Sequence, residues 1–414
     1  MSVNLLRNSR VFFTTNVSTT APNIGKVNTG AGASGDDATA HTNEITFEIQ
    51  TLDDLTFSQT TATETIAVNE TGDAPIRGQR TFNTAVNPVE WSFTTYLRPY
   101  SDATADKITC EERVLWNAMF SKYEIGNTTN SAQVAWRNSS AQGSNQYAQA
   151  ILDGSALHQL QRFGLIVIFD NNVFLLDDCA INTATIDFGI DAIASVQWSG
   201  MARKIRRLDA PTFSDADTWA GTLVGDFKPK ITEAPFIANK LSTVTLKKGI
   251  GAFGSSGSGD QYNMPLTGGS ITLTNNITYL TPAYMGVINE PITYFTGSRQ
   301  VSGSLSAYLR TGTSSTKRTA ELFSNLVDNI ATDSDPEFYL QVEIGGSSNT
   351  VRVELEMPGT VLSIPSINAE SVITTTVNFS AQGSESIQKA GSGVQTKQFN
   401  IVKDNEIKIK YYAS

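Results

Sequence analysis

The chain has 414 residues, with 40 Asp and Glu against 30 Lys and Arg, a formal charge of -10 and a pI near 4.9. A chain of this length holds roughly two to three domains, and its acidic balance argues against a surface built to grip nucleic acid by its phosphates. Charged residues are only 17% while Thr, Ser, Asn and Gly abound, a mix that favours strands and turns over helical bundles.

The opening Met1-Ser2-Val3-Asn4-Leu5-Leu6-Arg7 lacks the basic, apolar and small-residue regions of a secretory leader, so no signal peptide is expected. No apolar stretch approaches the ~18 residues of a bilayer span, and residues 165–169 have the length of a buried strand. A first strand is expected over residues 8–14, followed by Ile45-Thr46-Phe47, a long polar insert over 60–76 and an Arg-bearing turn, Gly78-Gln79-Arg80. Next come the strand Val89-Glu90-Trp91-Ser92-Phe93-Thr94-Thr95-Tyr96-Leu97-Arg98 and a helix over about 110–122, with Val114, Leu115, Ala118 and Met119 at helical spacing. Residues 163–170 and 172–176 read as a hairpin turning at Asp170-Asn171-Asn172, and Val196-Gln197-Trp198-Ser199 reads as a closing strand. The polar, Asp-, Gly- and Pro-containing residues 211–235 read as a connector.

Beyond the connector the order recurs. A strand is expected over 239–246, then a Gly/Ser loop over 251–259, Ile271-Thr272-Leu273, the turn Gly297-Ser298-Arg299 and the strand Val301-Ser302-Gly303-Ser304-Leu305-Ser306-Ala307-Tyr308-Leu309-Arg310. A helix follows over about 316–330, with Ala320, Phe323, Leu326, Val327 and Ile330 at helical spacing. A hairpin over 338–344 and 350–357 and a closing strand, Val377-Asn378-Phe379-Ser380, complete the set. Tyr96 and Tyr308 stand 212 residues apart, and Val, Ser, Tyr, Leu and Arg match at that offset. A repeat of this size implies duplication of a whole domain. The tail reads as an added hairpin over 399–402 and 407–411. Domain boundaries follow: a first repeat over 1–208, a connector over 209–235, a second repeat over 236–385 and an extension over 386–414.

No catalytic, cofactor or metal constellation is present in the sequence. His41 and His158 are the two histidines, and with Cys110 and Cys179 as the two cysteines they make no zinc set. The cysteines are read as unpaired buried thiols, with a disulfide as the alternative. Asp36-Asp37, Asp53-Asp54 and Asp177-Asp178 read as solvated loops or subunit contacts. Neighbours in a strand point to opposite faces and cannot jointly flank a bond. The cluster Arg203-Lys204-Ile205-Arg206-Arg207 reads as a contact with acidic loops of a neighbouring subunit or ring, with DNA binding as the alternative. Alternation carries more information. Val89, Trp91, Phe93 and Leu97 oppose Glu90, Ser92 and Thr94; Val301, Leu305, Ala307 and Leu309 oppose Ser302, Ser304 and Ser306; Val377 and Phe379 oppose Thr376, Asn378 and Ser380. Each strand therefore has one core face and one small polar face.

The segments Leu5-Leu6-Arg7-Asn8-Ser9-Arg10-Val11-Phe12, Arg77-Gly78-Gln79-Arg80-Thr81-Phe82-Asn83, Glu90-Trp91-Ser92-Phe93, Val196-Gln197-Trp198-Ser199-Gly200, Thr267-Gly268-Gly269-Ser270, Asn275-Asn276-Ile277-Thr278-Tyr279-Leu280-Thr281-Pro282 and Gly303-Ser304-Leu305-Ser306-Ala307-Tyr308-Leu309 resemble, in order, the duplicated tail tube proteins of long-tailed phages of the T-five type. The resemblance implies a mainly β fold: two tandem tail-tube-type β-sandwich domains, each with a flanking α-helix, assembling into a β-barrel tube. It implies a structural protein of the virion, made in the host cytoplasm, with no enzyme activity, no cofactor and no membrane partner. Its partners would be itself, in homotrimeric rings stacked into a tube, and other tail proteins such as tape measure, terminator and baseplate or tip proteins. Double-stranded DNA would pass without specific binding. The lumen-facing residues implied are Glu90, Ser92, Thr94, Gln197, Ser199, Ser302, Ser304, Ser306, Thr376, Asn378 and Ser380. Some members carry an immunoglobulin-like decoration, for which residues 384–414 are too short. The inner tube of a contractile tail or injection device shares the fold and is the alternative; a β-rich receptor-binding or fibre protein is a third reading.

Overall fold

A computed structural model describes residues 9–14, 46–66, 80–102, 107–120, 136–138, 148–151, 159–169, 172–208, 236–249, 259–283, 285–286, 288–313, 317–329, 337–346, 351–369, 372–383 and 406–413. The fold is mainly β. The N-terminal half contains β1 (Ser9–Thr14), β2 (Thr46–Ile49), β3 (Thr56–Ile66), β4 (Arg80–Tyr96), β5 (Tyr100–Asp102), β6 (Lys107–Thr109), α1 (Arg113–Phe120), β7 (Trp136–Asn138), β8 (Ala148–Ile151), β9 (Phe163–Phe169), β10 (Asn172–Asp187), β11 (Ser195–Ala202) and β12 (Lys204–Leu208). The C-terminal half contains β13 (Thr243–Lys248), β14 (Gln261–Asn263), β15 (Leu266–Thr274), β16 (Ile277–Leu280), β17 (Thr293–Thr296), β18 (Gln300–Tyr308), α2 (Thr319–Asn329), β19 (Glu337–Ile344), β20 (Arg352–Leu362), β21 (Ser366–Ala369), β22 (Ile373–Gln382) and β23 (Lys408–Tyr412).

One long antiparallel sheet runs β3-β4-β11-β10-β15-β18-β22-β21 and is called the inner sheet below. Two further ladders, β2-β1-β9-β10-β12 and β14-β13-β19-β20-β23-β8-β7, form the outer layer. Two long strands cross between layers. β10 pairs with β9 and β12 over its first part and with β11 and β15 over its last part; the register shifts between Leu176 and Cys179, where Asp178 takes φ 56°. β20 crosses likewise, from β19 and β23 to β22, with its shift opposite Phe338 and Leu340. Bulges of this kind bend a strand and re-aim its side chains.

Strand alternation decides what fills the space between layers. Trp91, Phe93, Trp198, Leu305 and Phe379 are all buried, as the alternation predicts. A Cβ on Gly200 would stand 2.4 Å from the Trp91 ring and one on Gly303 2.6 Å from the Phe379 ring. Only glycine lets these rings lie flat over the neighbouring strand. All eight residues of α1 are buried. Its Trp116 meets Trp198 edge-on with ring centroids 4.6 Å apart, and its indole N–H donates to the Tyr411 hydroxyl of β23 at 2.6 Å. Trp116 is absent from the sequence-based stripe of α1, which nonetheless has Val114, Leu115, Ala118 and Met119 correctly buried.

Several expectations are corrected. Both helices begin later in the chain than expected. In α2, Leu322 and Leu326 are buried while Val327 is 42% exposed, so the packed face is rotated from the expected stripe. Thr319 and Glu321 set the start of α2 by accepting from the backbone N–H groups of Arg310, Gly312 and Arg318. Residues 46–47 belong to β2, which pairs with β1; the strand beside β4 is β3. Residues 60–66, expected within a polar insert, continue β3. Asp177 and Asp178 are buried in β10, not solvated. Arg203 and Arg206 both pair with Asp177, at 2.6 and 2.5 Å, and Lys204 pairs with Glu290 at 2.9 Å, so the basic cluster is met by acids of its own chain. A carboxylate buried beside the cluster is the physical reason: two guanidinium groups compensate its desolvation. Cys110 and Cys179 are free and buried. β23 joins β20 and β8; the other arm of the expected C-terminal hairpin, residues 399–402, lies outside the described residues, as do His41, His158, the connector 209–235, residues 67–76 and the loop 251–258.

Candidate functional site

The inner sheet turns its second face away from this core, and that face is built mainly of small hydroxyl and amide side chains, with Tyr96, Met201 and Tyr308 towards its ends. Because β-strand side chains alternate, the core residues Trp91, Phe93 and Trp198 oblige Ser92, Thr94, Gln197 and Ser199 to point the other way. Cross-strand register then lines them up. One row runs Thr94, Gln197, Thr185, Thr272, Ser302, Ser380 over six strands. A second runs Ser195, Asp187, Ser270, Ser304, Asn378, and a third Thr56, Ser92, Ser199, Thr183, Thr274. Glu90, Ser306 and Thr376 lie on the same face, so all eleven residues singled out in the sequence share it.

The hydroxyls bond to one another along the rows. Thr56 and Ser92 share a hydrogen bond of 2.8 Å, Thr183 and Ser199 one of 2.5 Å, Thr185 and Thr272 one of 3.2 Å, and Ser306 and Thr376 one of 3.3 Å. Thr94 donates from both its backbone and its hydroxyl to the Asp54 carboxylate. Such pairing keeps the side chains short, ordered and flat against the sheet. The ionisable groups named on these rows are Asp187 and, beside them, Glu90 and Asp54; none is Lys or Arg. A shallow hollow on this face, lined in part by Thr56, Ser58, Glu90, Ser92, Asn182 and Ser199, holds no cation and no nucleophile–base pair. Among the described residues no group of three His, Cys, Asp or Glu could hold a metal ion.

Sequence reading placed β4, β11, β18 and β22 on this face but missed β10 and β15, the two central strands. Their signal is present in Thr183-Ala184-Thr185-Ile186-Asp187 and Ser270-Ile271-Thr272-Leu273-Thr274, which alternate as cleanly as the strands recognised. The row through Thr185 and Thr272 crosses from the N-terminal to the C-terminal half, so the two halves present one continuous surface.

No helix among the described residues is long and apolar enough to cross a membrane. No family model matches the chain. It is 30% identical over 388 residues to the tail tube protein pb6 of Escherichia phage T5, an alignment that covers 92% of this chain and 73% of that protein. A mainly β chain with a hydroxyl-faced sheet and this extended identity lead to one conclusion: the chain belongs to the T5-type tail tube proteins and is a structural component of the phage virion.

Proposed function

We propose that the chain is two fused copies of one tube-building unit, that three chains close a ring, and that the hydroxyl face of the inner sheet lines a channel through which DNA passes. The observation that carries this reading is the unbroken row Thr94, Gln197, Thr185, Thr272, Ser302, Ser380, which joins the two halves into one surface. Duplication is supported by matching ladders. β3-β4-β11-β10 in the first half corresponds to β15-β18-β22-β20 in the second. Tyr96 and Tyr308 correspond at the ends of β4 and β18. Trp198 lies opposite Phe93 and Val377 opposite Leu305, so Trp198 corresponds to Val377 and not to Phe379. β23 flanks β20 as β12 flanks β10, which brings residues 406–413 into the second unit.

The units proposed span residues 1–208 and 236–385 plus this last strand, with 209–235 as their connector. A wall of Ser, Thr, Asn and Gln with scattered carboxylates offers phosphates little to hold, so DNA slides past it. The proposed partners are further copies of the chain and the tape measure, terminator and tip proteins of a tail. Negative-stain imaging of the purified protein tests the reading: rings or tubes with a central channel are expected, and monodisperse globules at every concentration would overturn it.

A further inference from the structure

The two outer ladders are built alike and faced differently. β1, β9 and β10 of the first half correspond to β13, β19 and β20 of the second. Val11 pairs with Val167 as Val244 does with Val342, and Leu165 pairs with Leu176 as Leu340 does with Met357, just before each crossing strand shifts register. On the face turned away from the core, this correspondence sets the row Phe12, Ile166, Leu175 against Thr245, Gln341, Glu356. It sets the pair Ile168, Val173 against Glu343, Glu354. Every one of these positions is apolar in the first half and polar in the second.

The polar set is accounted for by its own ladder. Lys410 of β23 meets Glu354 and Glu356, Tyr339 donates to Glu356 and Thr243 to Glu343, while Thr245, Gln341 and Glu343 remain partly exposed. The apolar set is not. Phe12, Ile166, Ile168, Val173 and Leu175 form a cluster separate from the main core, and in the single chain Phe12 is 0% and Ile168 7% exposed, with the other three at 1%. Neighbours along a sheet shield only the flanks of such side chains, because the tips stand off the pleat. Arg10 lies 4.9 Å over the Phe12 ring and covers part of one residue. Among the described residues, the elements against β1 and β9 are the strands beside them in the ladder, and none lies across the cluster.

We infer that the connector, residues 209–235 of the same chain, docks along this apolar face of the first unit. Burial within a single chain requires an occupant from that chain, and three observations select the connector. β12 pairs Leu208 with Val173, so the connector leaves the ladder at the cluster itself. It carries Phe213, Trp219, Leu223, Val224, Phe227 and Ile231, whereas residues 1–8 and 15–45, which also border β1, contain no Phe, Tyr or Trp. It has five Asp or Glu against two Lys, and Arg10 and Arg206 edge the cluster beside Ile168 and Leu175. Extended, a segment of this length reaches about 90 Å. That is ample to cross the face and return to Phe236, whose ring meets Tyr96 at 5.3 Å and the Arg98 guanidinium at 4.4 Å. The connector then does more than join two units: it supplies the first with apolar contacts where the second uses ion pairs. The inference rests on the correspondence between the halves proposed above and not on the channel.

Thiol labelling of the full chain with a maleimide tests the docking. Cys110 and Cys179 are buried, so the wild-type background is silent. Ile168→Cys should react at least about tenfold more slowly than Glu343→Cys, its counterpart in the second unit, because the covering segment must first open. Adding Phe213→Ser, Trp219→Ser and Phe227→Ser should bring Ile168→Cys up to the rate of Glu343→Cys and leave Glu343→Cys unchanged. Adding Val17→Ser, Ile24→Ser and Val27→Ser instead should change neither rate. Fast labelling of Ile168→Cys without the serine changes, or its release by the second set and not the first, would overturn the inference. A photo-crosslink needs no destabilised variant: Trp219→benzoylphenylalanine, irradiated, should attach to peptides of β1, β9 or β10, and attachment only elsewhere would count equally against it. Both measurements are made on the unassembled chain. Their failure leaves the channel reading standing, and a failure to image rings or tubes leaves the docking standing.

Discussion

The inner and outer sheets use opposite chemistry. The outer layer holds ion pairs within its ladders: Asp177 between Arg203 and Arg206 where β10 meets β12, and Lys410 between Glu354 at 2.6 Å and Glu356 at 3.1 Å where β20 meets β23. The inner sheet's open face carries hydroxyls that bond to one another and has no cation on its rows. A chain with a charge of -10 therefore keeps its best-paired charges away from the face proposed to meet DNA. The difference shows that the two layers answer to different demands. The outer layer stabilises the subunit, while the inner face is left open for the passage of DNA proposed above.

The largest effects are expected where both layers meet the core. Trp198 is fully buried, lies against Trp116 and donates its indole N–H to the Thr95 hydroxyl at 2.9 Å. Trp198→Ala should lower stability by about 3–5 kcal/mol through the cavity and the orphaned hydroxyl. Lys410→Met should cost a similar ~3–5 kcal/mol, because Glu354 and Glu356 would stay buried without their cation. Urea unfolding measures both. If Lys410→Met unfolds like wild type, the ion pairs of the outer layer do not hold β23 in place.

Between the layers lies Glu112, fully buried at the start of α1 beside Tyr411 and Cys110. Burial pushes its carboxyl up from 4.5 to about 8. The folded chain thus keeps this proton at pH values where the unfolded chain has released it. Stability should be unaffected by Glu112 below about pH 4.5, fall as pH rises towards 8, and level off above, a loss on the order of 3–5 kcal/mol. Glu112→Gln should flatten that slope and raise the melting temperature at pH 8 more than at pH 5. An unchanged slope in the variant would assign the pH dependence elsewhere.

How much of this comparison could be read from the sequence differs by layer. The inner sheet was legible because alternation has a period of two and its core residues are large aromatics: Trp91, Phe93 and Trp198 announce their faces. Its central strands were not, because Ala184 and Thr185 are small and the pairing of β10 with β15 joins residues 87 apart. The outer layer was less legible still. In a linear reading Asp177-Asp178 look like a solvated loop or a subunit contact and Arg203 to Arg207 like a subunit contact, and only the crossing of β10 between layers brings them together. The place of β23 beside β20 and β8 depends on partners far away in the chain, and Trp116 stands on a helix buried on every side, so that the expected stripe covers only part of what is buried.

The smallest effect on stability, and the largest on function, is expected on the open inner face. Ser92 and Ser304 lie on that face of β4 and β18, one in each half, with their side chains partly exposed. Lys at both positions can extend its ammonium away from the sheet, so the fold should change by no more than about 0.5 kcal/mol. Each ring of three chains, as proposed, would gain six cations where the wild-type rows have none. A cation facing the channel can neutralise a phosphate, and each one engaged steepens the dependence of log affinity on log salt by about 0.9. Ser92→Lys with Ser304→Lys should therefore assemble normally, retain DNA at low salt and release it as salt rises, whereas the wild-type wall should show no such dependence. Replacement by Gln at the same two positions controls for bulk and should leave passage unaltered. The measurement is the rate of DNA ejection from particles carrying each variant across a salt series. Ejection from the lysine particles at the wild-type rate at every salt concentration would mean that the hydroxyl face does not meet DNA, and the contrast between the two layers would then need another cause.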